Sequence, residues 1–260
     1  MVDLSIYFSP VEDVFKEVYL EGSIGAIVVK NDVGGFPELN DKGVALIYVP
    51  EYRQSTETIT GENHSFRENF YALKLGNNWN RPIYDLGTIL PGNKIEDTQY
   101  AISQVVSELV KLDFIPLVIG GSQDLTLALY KGFETLEQTI NICSIDSELD
   151  IGEPTEAATS KGYVSHLLMQ RPCYLFNYSN IGMQRPKVIG KEVDLFEKLF
   201  FDICRLGEFN DDFRKSEPHL RNADILSIDL NSLKSSELDS SFNLNPNGFR
   251  SDQICQIAHY

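Results

Sequence analysis

Three short polar clusters follow apolar runs in this chain, and their residue types could do chemistry. Residues 120–124 read GGSQD, residues 146–150 read DSELD, and residues 229–231 read DLN. Carboxylate and amide oxygens bind hard divalent cations such as Mg²⁺ and Ca²⁺. The polar side chains of the three clusters include those of Gln123, Asp146, Glu148, Asp150, Asp229 and Asn231.

The carboxylates of the second and third clusters would create a strongly negative pocket if they converged. Such crowding demands a bound cation, a raised carboxyl pKa or a nearby ammonium group, for which Lys234 is a candidate. A single polar cluster is more often a helix cap or a solvated strand end. Three clusters that each close a strand of one sheet favour a functional site.

The elements that would position these clusters alternate between apolar runs and helical patterns. Apolar runs occur at residues 43–50, 115–121, 140–146, 174–182 and 223–229. Helical spacing of apolar residues occurs at about 96–112, 123–136 and 193–201, with Asp97 or Thr98 as the cap of the first helix. This alternation predicts an α/β fold of one domain over residues 1–260, with a mainly parallel sheet and helices on both faces. Chemistry in such folds gathers at the carboxyl ends of the strands.

Composition excludes several classes of partner. The chain has 260 residues and a formal net charge of −16, which repels phosphate backbones and anionic headgroups, so neither nucleic acid nor a membrane is expected as a partner. We find no signal peptide and no run of the roughly 18 apolar residues that a spanning helix needs. The four cysteines are widely spaced, which argues against a zinc site or a disulfide framework. We therefore expect a cytoplasmic protein.

The three clusters resemble, in order and approximate spacing, the motifs of the ureohydrolases, the family of arginase, agmatinase and formimidoylglutamase. Those motifs read Gly-Gly-Asp-His-Ser, Asp-Ala-His-x-Asp and Ser-x-Asp-x-Asp-x-x-Asp-Pro, and residues 244–257 resemble a later Pro-Asn-Gly segment. The resemblance runs from about Gly43 to the end of the chain. It implies a three-layer α/β/α sandwich, often assembled as trimers or hexamers. It also implies two manganese ions whose bridging hydroxide attacks a guanidinium or amidine carbon.

The family's ligand set survives only in part. The resemblance makes Asp146, Asp150 and Asp229 retained metal ligands, whereas Gln123, Glu148 and Asn231 replace two histidines and an aspartate. Without imidazole, the remaining oxygen donors suit one hard divalent cation, Mg²⁺ or Ca²⁺, or no metal at all. A manganese pair is expected only if the altered site remains catalytic.

One further residue and the end of the chain bear on catalysis. His166 lies roughly where arginases carry a proton-shuttling histidine, although a structural histidine is the commoner reading of such spacing. The chain ends before the segment in which the family carries a substrate-binding glutamate. Either the sequence is a fragment or the protein lacks that carboxyl-terminal part.

Two functional hypotheses remain from the sequence. We favour a ureohydrolase-fold protein that has lost the dinuclear manganese site and C–N hydrolysis and serves as a binding, regulatory or assembly component. Its partner would be another protein or a second copy of the chain. The alternative is an active hydrolase of a small amidino or guanidino substrate with an altered metal site. The sequence therefore leaves enzymatic activity open and favours its absence.

Overall fold

The computed structural model describes residues 2–12, 19–56, 65–76, 78–153, 157–238 and 245–259, with only the backbone of Ser65. These residues form two compact units. Within the described ranges, unit one contains residues 2–53, 65–121 and 131–136, and unit two contains residues 54–56, 122–130 and 137–259.

Unit one is built on a sheet of five strands. They are β1 (Phe8–Ser9), β2 (Val29–Lys30), β3 (Val44–Tyr48), β4 (Ile83–Ile89) and β5 (Ile115–Ile119). The order is β1-β4-β3-β5, β2 also pairs with β4, and β1 alone among these strands runs antiparallel. Its described helices are α1 (Ile24–Ile27), α2 (Ser65–Ala72) and α3 (Ile95–Lys111).

Helix α3 shows how the local sequence sets an element. Ile102, Val105 and Leu109 are buried at helical spacing, as the sequence pattern predicts. The predicted caps were wrong by a few residues, because the helix begins at Ile95 with Lys94 as its N-cap. Asp97 instead accepts a 3.0 Å hydrogen bond from the backbone N–H of Lys94, and so satisfies the helix start from inside its first turn.

A buried ion pair joins α2 to the central strand β4. The Arg67 guanidinium donates to both carboxylate oxygens of Asp85, from Nε at 2.8 Å and from Nη2 at 3.1 Å. The same carboxylate accepts from the Tyr71 hydroxyl at 2.7 Å and from the backbone N–H of Gly87 at 2.9 Å. Because Arg67 and Asp85 are only 3% and 0% exposed, either charge would be costly without the other.

Unit two is built on a sheet of four parallel strands. They are β6 (Ile140–Ile145), β7 (Leu175–Ile181), β8 (Asp202–Cys204) and β9 (Ile225–Ile228), in the order β8-β7-β6-β9. Helix α4 (Thr126–Phe133) begins in this unit, and the other described helices are α5 (Tyr163–Met169), α6 (Gly190–Leu199), α7 (Leu206–Asp211), α8 (Glu217–Leu220) and α9 (Ser251–Ile257).

The predicted fold class is confirmed, since the strands are mostly parallel and helices connect them. The helix predicted at about 123–136 is interrupted: 3₁₀ turns at Gln123–Leu125 and Glu134–Leu136 flank α4. The single domain over residues 1–260 stays a prediction. Among the described residues, no helix combines the length and the apolar character that crossing a membrane requires.

The buried pair gives the first testable prediction. Replacing Asp85 with asparagine leaves the Arg67 charge buried without its counter-ion, so we expect a loss of about 3–5 kcal/mol in the free energy of unfolding. Denaturant unfolding would measure it. Asp252→Asn is the matched control, because Asp252 also accepts two hydrogen bonds from an arginine but at the exposed surface, where little change is expected. Equal effects at both positions would contradict the prediction.

Candidate functional site

The glycine pair at residues 120–121 is required by the backbone. Strand β5 ends at Ile119, and Gly120 and Gly121 then take φ values of +89° and +76°, which L side chains rarely adopt. A Cβ on Gly120 would lie 2.8 Å from the Tyr48 ring and 3.0 Å from the Val49 carbonyl oxygen. The backbone therefore requires glycine at this turn, whether or not residue 123 binds a metal.

Gln123 begins the 3₁₀ turn that follows these glycines, with Ser122 between them as its N-cap. Its side-chain Nε2 donates a 3.1 Å hydrogen bond to the Ser144 hydroxyl on β6, two residues before Asp146. Its Oε1 is buried and accepts no hydrogen bond from the described residues. The residue that replaces a predicted histidine ligand is thus held beside the end of β6 by its amide nitrogen.

The two acidic clusters close neighbouring strands. β6 and β9 are paired in parallel with Ile145 opposite Ile228, so Asp146 and Asp229 emerge side by side at the carboxyl edge of the sheet. Each carboxylate turns back on its own chain. Asp146 Oδ1 accepts from the backbone N–H of Glu148, and Asp229 Oδ1 accepts from the backbone N–H of Asn231, both at 2.9 Å.

These turns enclose a small acidic cavity, which we call the acidic cavity throughout. It is lined by Asp146, Ser147, Glu148, Asp150, Ser160, Lys161, Asp229 and Asn231. Its volume is about 10 Å³, which is roughly the room that one water molecule needs. None of the lining residues carries an imidazole, so every donor that the cavity offers to a cation is an oxygen.

Burial perturbs the carboxyl groups of the cavity. Burial, together with the neighbouring Asp146 carboxylate, raises the pKa of Asp150 well above its usual range. Burial also raises the pKa of Asp146. The Lys161 ammonium lies 3.3 Å from Glu148 Oε1 and supplies positive charge at the same cavity.

The Asp146 and Asp150 carboxyl groups are close enough to share a proton. Asp146 is 2% exposed, and its Oδ2 is buried without a fixed hydrogen-bond donor among the described residues. A protonated Asp150 carboxyl can donate to the Asp146 carboxylate, and this contact contributes to the raised pKa of Asp150. The described His, Cys, Asp and Glu side chains nevertheless form no group of three or more poised around one point as metal ligands. The cavity is therefore acidic without being a preformed ligand cage.

Of the sequence-derived candidates, five line the cavity: Asp146, Glu148, Asp150, Asp229 and Asn231. Gln123 adjoins them through Ser144, whereas His166 lies on α5 outside the lining, with its Nε2 buried and without a described partner. The ammonium at the cavity is that of Lys161, and Lys234 is not among the lining residues. Sequence reasoning missed Lys161 because it lies in a polar loop whose path no periodicity indicates.

Comparison with known proteins gives relatives in sequence and in fold. The sequence pattern of the arginase family matches residues 48–260. A curated formimidoylglutamase from Clostridium tetani is 31% identical over 87 residues, which is 31% of this chain and 26% of that protein. The chain thus matches only about a quarter of the length of that relative.

Solved structures give the same fold over more of the chain. The crystal structure of formimidoylglutamase from Bacillus subtilis has a TM-score of 0.76 at 17% identity, covering 95% of this chain and 82% of that one. A Trypanosoma cruzi formiminoglutamase solved with two Mn²⁺ has a TM-score of 0.73 at 16% identity, covering 85% of this chain and 82% of that one. At these identities the likeness establishes the fold alone.

The raised pKa of Asp150 predicts a pH-dependent effect of Asp150→Asn in metal-free buffer. Between the ordinary carboxyl pKa and the raised value, the unfolded chain loses a proton that the folded protein keeps, so rising pH favours unfolding. The asparagine side chain cannot lose a proton, so the variant should have a higher unfolding free energy than the wild type at pH 7. The gain should shrink as the pH falls below the ordinary carboxyl pKa, where the folded and the unfolded chain both hold the proton.

Chemical denaturation at a series of pH values would measure this difference. Asp113→Asn is the matched control, because Asp113 has the same left-handed backbone as Asp150 but lies exposed at the surface. Asparagine tolerates that backbone, so a gain shared by both variants and equal at every pH would mean that conformation, not the carboxyl group, is responsible.

Proposed function

Because this chain belongs to the arginase family, we propose that its acidic cavity binds one small hard cation, Mg²⁺ or Ca²⁺, in place of a catalytic manganese pair. On this proposal the protein does not hydrolyse a C–N bond. It serves as a binding, regulatory or assembly component whose partner is another protein or a second copy of the chain. The observation that carries the proposal is a cavity of single-ion size with only oxygen donors.

The residues present do not fit two manganese ions. Neutral imidazole suits first-row transition metals, and the cavity offers carboxylate, amide and hydroxyl oxygens instead. A volume of about 10 Å³ leaves room for one water-sized occupant rather than two ions with a bridging oxygen. We therefore derive no hydrolytic step from this site.

Two features support a single hard cation. Four carboxylates meet one ammonium at the cavity, so the local charge is strongly negative. Hard cations prefer oxygen ligands and keep several waters, so they need fewer protein ligands than the preformed group that the described side chains lack. Ligand side chains commonly complete their arrangement only when the ion binds.

The alternative function is hydrolysis of a small amidino or guanidino compound with an altered metal site. Its support is that the named relative and neighbour are formimidoylglutamases. It requires the cavity to open beyond its present volume, because an amidino group is larger than one water molecule. A cytoplasmic location stays a prediction under either hypothesis.

Metal content and turnover together test the proposal. We expect protein dialysed against Mg²⁺ or Ca²⁺ to retain about one ion per chain by elemental analysis, because one ion fills the available volume. With manganese supplied, arginine, agmatine and formimidoylglutamate should show no hydrolysis above background. The control is Asp146→Ala, which should lose the ion. Turnover that Asp146→Ala abolishes would overturn the proposal and establish the alternative.

Restoring the family's histidine and aspartate metal ligands should increase the affinity of the site for manganese. The triple variant Gln123→His, Glu148→His and Asn231→Asp should bind manganese about tenfold or more tightly than the wild type, because imidazole is the better ligand for that ion. Calorimetric titration would measure both affinities. Gln138→His, at an exposed position, controls for adventitious binding by an added histidine. An unchanged manganese affinity in the triple variant would show that these are not the ligand positions.

A further inference from the structure

A second and much larger cavity of unit two lies at the carboxyl ends of β7 and β8, and we call it the β7–β8 cavity. Its volume is about 340 Å³, within the range of about 300–1,000 Å³ that is typical of small-molecule sites. The loop after β7, residues 183–186, forms one wall, and residues 205–208 and 211 of the segment that carries α7 form the other. Among the described residues, none lines both this cavity and the acidic cavity.

The backbone explains why the chain opens at this point. Gly182 donates its N–H to the Cys204 carbonyl at 2.8 Å, and Leu206 donates its N–H to the Met183 carbonyl at 3.2 Å. Past these two hydrogen bonds the loop and α7 separate as the two walls. Met183 and Leu206 are each only 3% exposed, so they give the cavity an apolar base between the walls.

The two walls carry opposite net charge. Arg185 is the charged residue of the loop wall, whereas the helix wall contributes Arg205, Glu208 and Asp211. Arg205 Nη2 lies 3.1 Å from Glu208 Oε1, so these two charges compensate each other within the helix wall. A positive charge at Arg185 and a negative charge at Asp211 therefore remain, one on each wall.

Both of these charges are available to a ligand. The Arg185 guanidinium donates from Nη1 to the Val188 carbonyl at 3.3 Å, and no described carboxylate pairs with it. A guanidinium carries several further N–H donors in a planar fork that matches a carboxylate. Asp211 is exposed and has neither an ion pair nor a side-chain hydrogen bond among the described residues.

We propose that the β7–β8 cavity binds a small organic zwitterion whose carboxylate and ammonium are separated by a short apolar chain. The carboxylate pairs with Arg185, the ammonium pairs with Asp211, and the chain lies on Met183 and Leu206. The inference goes beyond the proposed function, because no residue of the acidic cavity takes part in it.

Charge favours a zwitterion over a simple anion or a simple amine. An anion would pair with Arg185 but would leave Asp211 uncompensated on the facing wall, and an amine would leave Arg185 uncompensated. The chain has a formal net charge of −16, which repels free anions but not a molecule without net charge. A zwitterion thus satisfies both walls and avoids this repulsion.

Calorimetric titration with three probes of one chain length tests the inference. We expect 6-aminohexanoate to bind about tenfold or more tightly than hexanoate or hexylamine, because each analogue lacks one charge-assisted hydrogen bond. Equal affinities for the three probes, or no saturable binding of 6-aminohexanoate, would overturn the inference.

Two variants assign each end of the probe to its wall. Arg185→Met should weaken binding of 6-aminohexanoate and hexanoate about tenfold or more and leave hexylamine unchanged. Asp211→Asn should weaken 6-aminohexanoate and hexylamine and leave hexanoate unchanged. Thermal unfolding without ligand checks that the variants are folded, and Arg185→Gln repeats the test should the methionine variant not fold.

Arg171→Met is the matched control. The Arg171 guanidinium is also exposed and donates to backbone carbonyls, those of Leu168 and Gln170, but it does not line the cavity. Its removal changes the net charge equally and should leave the affinity for 6-aminohexanoate unchanged. A loss equal to that in Arg185→Met would overturn the inference, since general charge would then explain it.

The titrations are carried out in EDTA, which separates this inference from the proposed function. Zwitterion binding in EDTA supports the β7–β8 cavity as a ligand site, even if elemental analysis finds no ion in the acidic cavity. Retention of one ion per chain without binding of 6-aminohexanoate overturns this inference and leaves the proposed function standing.

Discussion

Two neighbouring parallel strands of unit two end in carboxylates, and this concentration of negative charge governs the site. β6 and β9 are in parallel register, so Asp146 and Asp229 must leave the sheet at the same edge. Asp146 and Asp150 are also almost completely buried, which removes the water that would otherwise screen them. Any stable form of the site has to supply positive charge, protons or hydrogen-bond donors.

The surrounding chain supplies hydrogen-bond donors, a proton and a positive charge. Backbone N–H groups of Glu148 and Asn231 donate to Asp146 and Asp229. A raised pKa favours the protonated form of Asp150, and the Lys161 ammonium pairs with Glu148. Asp146 and Asp150 are close enough to share a proton. The protein thus compensates part of the charge internally, and the negative charge that remains supports the proposed cation-binding role.

The architecture around position 123 does not depend on which side chain stands there. The glycine turn at residues 120–121 is fixed by backbone conformation and by its contacts with Tyr48 and Val49, so it persists whatever residue occupies position 123. Gln123 is accommodated by its hydrogen bond to Ser144. In the same way, the turns of Asp146 and Asp229 need only a carboxylate and a following N–H. The family fold can therefore be kept with residues at these positions that differ from the family's motifs.

The sequence by itself determined the α/β class, five of the nine strands among the described residues, and the polar residue types at the strand ends. These follow from local patterns: apolar runs specify buried strands, helical spacing specifies α3, and a missing histidine removes imidazole wherever the chain goes. Tertiary structure decided that Lys161 and not Lys234 reaches the cavity, and that His166 lies outside its lining. It also decided that Asp146 and Asp229 fold back onto their own turns and do not project from an extended chain. Such features depend on contacts between residues distant in sequence and on side-chain direction, neither of which local periodicity encodes.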